Sequence, residues 1–249
     1  MDNTLVVQSH RTPLPYHWIQ TCLDSVRSWC ELNEYEYRFV GDELFDYLPD
    51  RLLEKTQHKV VASDLARILL LQDALKSGYK TVIWLDADFL IFNLSEFVIP
   101  DQSYAVGREV WVQQDEKGKL KVYKKVHNAF LMFRSGNSFL EFYIETAERL
   151  LSQNLGTMPP QFIGPKLLTA LHNVSLLPVM NAAGMLSPIV IKAMLQGEGM
   201  AMDLFLEHSP QLITGANLCV SSCEKKQVSD KQMERLIDVL KKGVISVSK

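Results

Sequence analysis

The chain has 249 residues and 28.4 kDa, with 47% hydrophobic and 22% charged residues. That length and balance suit a soluble globular chain with a buried core and exclude a disordered, collagenous or coiled-coil protein. Lys plus Arg number 26 against 29 Asp plus Glu, a net charge of −3, so no nucleic-acid partner is expected from the surface as a whole.

Met1-Asp2-Asn3-Thr4 carries no positive charge, and Leu5-Val6-Val7 is too short for the apolar part of a signal peptide. No apolar stretch reaches the length of a membrane span. A cytoplasmic protein is expected. Cys22, Cys30, Cys219 and Cys223 are too few for a disulfide framework and lack the short C-x2-C zinc spacing. They read as buried reduced thiols.

Leu5-Val6-Val7-Gln8 reads as a short buried strand. A helix follows over residues 16–30, with Trp18, Ile19, Cys22, Leu23, Val26 and Trp29 on one face. Tyr16, Trp18 and Trp29 read as core. Residues 35–40 alternate as a second strand, closed by Gly41-Asp42. Ser63 is placed as the N-cap of the next helix, with Asp64 in the first turn where the helix dipole favours a negative charge. Leu65, Ile68, Leu69, Leu71, Ala74 and Leu75 make that helix apolar over most of its circumference, and Gly78 stops it.

Thr81-Val82-Ile83-Trp84-Leu85 is too short for a helix and rich in β-branched residues, so it reads as a central strand. It ends in Asp86-Ala87-Asp88, after which Leu90-Ile91-Phe92 resumes the apolar run. A hairpin is expected around residues 115–118, a strand over 129–133 and a helix over 138–151. Residues 155–165 read as a loop, in which Gln161 sits in a plain turn. Lys117, Lys119, Lys121, Lys124 and Lys125 read as a solvated strand face, with an acceptor-binding flap as the alternative. Ser229 and Gln232 form a capping box for a last helix with Met233, Leu236, Ile237 and Leu240 as its stripe. Strands alternating with helices predict a single α/β domain over 1–249 with a mixed, mainly parallel sheet. The nucleotide half is expected over about 1–100 and the acceptor half over about 101–249.

The chemistry gathers at one strand end. Asp86 and Asp88 lie one residue apart just past a buried strand, where open α/β sheets bind ligands. Two such carboxylates repel unless a cation compensates them. Mg²⁺ or Mn²⁺ with oxygen ligands is the natural partner, and it usually bridges substrate phosphates as well. Asp64 and Arg67 are three apart on one helix face, either a local salt bridge or a pair that grips a polyol.

Val61-Ala62-Ser63-Asp64-Leu65-Ala66-Arg67, then Gly78-Tyr79 and Trp84-Leu85-Asp86-Ala87-Asp88, resembles the donor-site block of GT-A glycosyltransferases. The likeness is to the group with a "DXD sugar-binding region", which includes the clostridial glucosyltransferase toxins, and more distantly to the glycogenin-like family. Tyr35-Glu36-Tyr37-Arg38-Phe39, Asn128-Ala129-Phe130 and Gly164-Pro165-Lys166-Leu167-Leu168-Thr169 resemble further segments of that group. The resemblance implies a GT-A (Rossmann-like) fold and transfer of a hexose, with retention, from a UDP- or GDP-linked donor to a glycan, lipid or protein acceptor. It implies that Asp64 and Arg67 hold the donor sugar and that Asp86 touches ribose or sugar. It also implies that Asp88, with Asp86, ligates the metal and that Gln8, Ser9 and His10 lie beside the nucleotide. The glycogenin-like C-terminal His-x-x-Gly-x-x-Lys-Pro-Trp is absent. His208 is therefore the candidate third metal ligand, with Asn217 and Ser221 behind it. Two other readings of the motif are a haloacid-dehalogenase-type phosphatase attacking through Asp86 and a non-catalytic nucleotide-sugar-binding module.

Overall fold

Thr4–Ser9 forms β1, and its Leu5, Val6 and Val7 are wholly buried. The computed structural model describes residues 3–56, 58–156 and 158–243; Thr157, in the expected loop over 155–165, lies outside them. Helix α1 (His17–Leu32) leads to β2 (Glu36–Val40). Two tight 3₁₀ turns, Asp42–Tyr47 and Asp50–Thr56, precede α2 (Lys59–Lys76). Next come β3 (Thr81–Leu85) and β4 (Phe89–Ile91), then the long hairpin of β5 (Tyr104–Gln114) and β6 (Leu120–Arg134). Helices α3 (Phe139–Gln153) and α4 (Leu167–Ser175) follow, then β7 (Val179–Met180) and β8 (Ala183–Met185). The last third holds α5 (Pro188–Gln196), α6 (Met200–His208), β9 (Gly215–Asn217), α7 (Ser221–Glu224) and α8 (Asp230–Lys241).

The main sheet runs β2-β1-β3-β6-β5-β7. β1 is parallel to β2 and β3, and β5 is parallel to β7; β6 is antiparallel to both of its neighbours. A smaller sheet, β4-β9-β8, carries the chain that leaves β3. The expected mixed α/β architecture is therefore present.

Strand alternation explains why β1 and β3 are apolar throughout. Leu5, Val7, Val82 and Trp84 face a cluster with Leu65 and Ile68 of α2. Val6, Ile83 and Leu85 face the opposite cluster with Trp29 of α1, Phe97 and Phe130. A strand buried on both faces needs no polar alternation. A third cluster joins α1, α5, α6 and α8 to Val110 and Val112 of the hairpin.

Several expectations are corrected. Helix α2 starts at Lys59, four residues before Ser63, with no side-chain cap and no acid in its first turn. Asp64 is therefore inside the helix and gains nothing from its N-terminus; Ser63 Oγ instead accepts from Arg67 Nη2 at 3.2 Å. The strand expected over 129–133 is the end of a 15-residue β6. Among the described residues no helix is long and apolar enough to cross a membrane.

Candidate active site

The end of β3 is held in place before any ligand is considered. Asp86 N–H donates to Ala129 O at 3.0 Å, and Gln8 Nε2 donates to Asp86 O at 3.0 Å. The strand stops at Leu85, and Asp86-Ala87-Asp88 turns towards β4. Both aspartates face the same cleft even though the strand geometry that predicted it has ended.

Arg67 organises the carboxylates. Its Nη1 donates to Asp86 Oδ1 at 2.8 Å and to Asn128 O at 3.1 Å, and its Nη2 lies 3.3 Å from Asp64 Oδ1. Its guanidinium also lies 4.9 Å from the centre of the Trp84 ring, a cation–π distance. Burial disfavours the Arg67 cation, but Asp86 and Asp64 outweigh it and hold its pKa above the ordinary value. Local salt bridge and shared clamp are thus both realised, because one planar fork reaches both acids.

The three carboxylates differ. Asp86 is the most open, with a side chain 27% exposed. Its Oδ1 accepts from Arg67 and from Trp84 Nε1 at 2.7 Å, while its Oδ2 has only Asn217 Nδ2 at 3.5 Å. Asp88 is buried; its Oδ1 accepts from Asn217 Nδ2 and its Oδ2 from Val220 N–H, each at 2.7 Å. Burial, and then the charge of Asp86, push Asp88 up to about 6 against the pull of those donors. Burial likewise raises Asp64 to about 6, opposed by Arg67 and by Asn128, whose Nδ2 donates to Asp64 Oδ1 at 2.7 Å. Asp64 Oδ2 has no hydrogen-bond partner among the described residues and is buried against the backbone of Gly164.

Two cavities meet at these groups. One, of about 410 Å³, is bordered by Ser9, His10, Asp42 and Lys59. The other, of about 470 Å³, is bordered by Asp64, Glu109, Trp111 and Gln161. Arg67, Asp86, Asp88 and Ser221 border both. The structure thus brings Ser9, His10, Asp64, Arg67, Asp86, Asp88, Asn217 and Ser221 to one cleft. Gln8 is not exposed there. It is wholly buried, donating to Asp86 O and accepting from Tyr37 OH at 3.2 Å, so it braces the strand end instead of facing a ligand.

His208 is not brought to the carboxylates either. It is the last residue of α6, and among the described residues no three His, Cys, Asp or Glu side chains form a metal-holding group. Asn217 presents its Nδ2 to both carboxylates, and its Oδ1 accepts from Cys219 N–H at 2.8 Å, so the carboxylate oxygens are the groups that could hold a cation there. Two carboxylates at one strand end, Asp88 buried and Asp86 partly open, fit a divalent cation.

Trp84, Asn128 and Val220 were not singled out as site residues. Trp84 reads as core by composition, and Val220 acts through its backbone. Asn128 stands at the start of an apolar run, a polar residue beside buried neighbours, and that signal was available.

No protein-family model matches the chain, and no curated protein sequence does. Among solved structures the chain is similar to an active-site mutant of LgtC, at 12% identity and a TM-score of 0.50, over 99% of this chain and 98% of that one. The chain has the GT-A fold. It is also similar to a glycosyltransferase involved in the glycosylation of the major capsid of PBCV-1, at 12% identity and a TM-score of 0.49, over 93% and 99% of the two chains. LgtC described as a galactosyltransferase in complex with donor and acceptor sugar analogs gives 12% identity and a TM-score of 0.48, over 99% and 98%. The GT-A fold alone does not assign an activity; that falls to the cleft.

Proposed function

We propose that the protein is a Mn²⁺- or Mg²⁺-dependent glycosyltransferase that moves a hexose, with retention, from a UDP- or GDP-linked donor to an acceptor hydroxyl. The observation that carries this reading is the pair of cavities sharing one waist at Arg67, Asp86 and Asp88. A two-substrate transfer needs a donor chamber and an acceptor chamber that meet where the bond breaks. Our reading keeps the chain in the DXD sugar-binding group on the strength of the residues over 61–88.

The chamber beside Ser9 and His10 takes the nucleotide. Asp86 and Asp88 would hold the divalent ion, with the Asn217 amide beside them; the ion would neutralise charge on the departing diphosphate. Arg67 stays cationic and adds a fixed positive charge at the same place. Asp64, held by Arg67 and Asn128 at the border of the second cavity, would help orient the sugar. Retention places the incoming hydroxyl on the face the diphosphate leaves, where the departing phosphate oxygen takes its proton. Trapping of a phosphoenzyme on Asp86 would instead favour the phosphatase reading.

A panel of UDP- and GDP-sugars with Mn²⁺ tests this, scored by thermal shift and by donor hydrolysis. One donor is expected to stabilise the protein only when metal is added, and Asp88→Ala to abolish that effect. Undiminished metal-dependent binding in Asp88→Ala would overturn the metal assignment. Metal-dependent donor binding without any hydrolysis or transfer would instead support a binding module.

A further inference from the structure

The β5–β6 hairpin has two unlike faces. Strand alternation sends Val110 and Val112 of β5, with Leu120 and Val122 of β6, into the apolar cluster. The opposite face carries Glu109, Trp111 and Gln113 on β5, paired in register with Lys125, Tyr123 and Lys121 on β6. Trp111 and Tyr123 are thus directly opposite one another, and Tyr123 is 40% exposed. Their neighbours fix them. Trp111 Nε1 donates to Gln113 Oε1 at 3.0 Å, and Lys125 Nζ lies 5.4 Å from the Tyr123 ring centre and 3.9 Å from Glu109 Oε1.

This face is continuous with the cleft. Glu109, Trp111, Gln113 and Lys125 border the same cavity as Asp64 and Asp86. Past Trp111 the surface opens into a further depression of about 600 Å³ against Pro188, Ile189 and Lys192. The Trp111 ring, edged by Gln113 and Glu109 and flanked by Tyr123, whose ring carries Lys125 Nζ over one face, presents flat apolar area ringed by hydrogen-bonding groups. A sugar ring has that pattern in reverse, with apolar C–H faces and hydroxyl edges. An acyl chain would need an apolar channel, which this polar-edged face does not provide.

Resting on the glycosyl-transfer reading above, we propose that this hairpin face is the acceptor subsite and that the acceptor is a carbohydrate chain. Its terminal ring stacks on Trp111 and Tyr123 and presents a hydroxyl towards the Asp86–Asp88 end, while the chain continues over Trp111 towards Lys192.

The protein carries its own reporter. Trp18, Trp29 and Trp84 are each 1% exposed, whereas Trp111 is half-buried at the surface. The full chain is titrated with maltotetraose, cellotetraose, chitotetraose and mannotetraose, following tryptophan emission and its quenching by iodide. At least one saccharide is expected to shift the emission to shorter wavelength and to cut quenching by about half. Tyr123→Ala leaves the reporter in place and is expected to weaken that saccharide about fivefold; circular dichroism confirms that the variant is folded. The proposal is overturned if none of the four saccharides shields Trp111, or if a lysolipid micelle or a Ser/Thr peptide shields it instead. The nucleotide-sugar thermal shift of the unmodified protein is a separate measurement. Its loss overturns the donor reading, and its presence with an unresponsive Trp111 overturns only the acceptor assignment.

Discussion

Arg67 Nη1 lies 2.8 Å from Asp86 Oδ1, while the Nη2 of the same guanidinium lies 3.3 Å from Asp64 Oδ1. One buried side chain thus bridges the middle of α2 to the end of β3 and compensates two acids at once. Removing it leaves those carboxylates without their cation in a low-dielectric setting. Arg67→Ala is expected to destabilise the protein by about 3–5 kcal/mol in urea unfolding, and Arg67→Lys to recover only part of this because a point charge cannot serve both oxygens. A loss below about 1 kcal/mol for Arg67→Ala would refute the bridging role.

Gly164 lies against Asp64 so closely that a Cβ there would overlap Asp64 Oδ2 and crowd Asn128 Nδ2. Gly164→Ala is expected to cost about 1–3 kcal/mol and to displace the Asp64 carboxylate. Under the proposed function, donor hydrolysis then falls on the order of 10²-fold, because a sugar-positioning oxygen has moved. Hydrolysis unchanged in a folded Gly164→Ala protein would remove Asp64 from the donor site.

His127 is buried as a neutral ring. Its Nδ1 accepts from Ala129 N–H at 3.1 Å, which leaves Nε2–H to donate to Ala183 O at 3.1 Å. Burial lowers its pKa to about 4 from the ordinary 6.5. The folded state therefore resists protonation that the unfolded state accepts, so this contribution is fully present above pH 6.5 and is lost as pH falls through about 4. His127→Gln is expected to shrink the stability difference between pH 7 and pH 4.5 by about 2 kcal/mol, measured as urea midpoints. An unchanged difference would show that His127 titrates in the folded protein as it does in the unfolded chain.

The Gly107 backbone packs directly against that ring, and a Cβ there would collide with it. Gly107→Ala is expected to lower stability by about 1–3 kcal/mol by forcing the imidazole out of its two hydrogen bonds. Calorimetry reads the change, and an unshifted Tm would refute the packing.

Legibility in the sequence followed the range of the interactions. The capping box at Ser229 and Gln232 is a three-residue matter, and the structure contains it with both bonds made. The central strand and its acidic end were plain from a five-residue apolar run. The start of α2 misled because Ser63 is a strong cap by residue type, whereas Lys59 and Val60 open the helix with no side-chain cap at all. Helices α5 and α6 are only nine residues each; Ser187-Pro188 and Gly197 bracket α5 as a local start and stop signal, whereas α6 opens on Gly199 and offers none. The partners of Asp88 lie 129 and 132 positions away, and spacing along a chain says nothing at that range. Asn217, a reserve candidate behind His208, stands at the carboxylates, with its Nδ2 and not its Oδ1 turned to Asp88.

Those distant partners also set a timetable for synthesis. Asp88 emerges from the ribosome long before Asn217 and Val220 are translated, and Leu218 N–H closes the same turn onto Asp88 O. Contacts of such separation form late. A nascent chain that ends before Asn217 and Val220 therefore lacks the donors that hold both Asp88 oxygens.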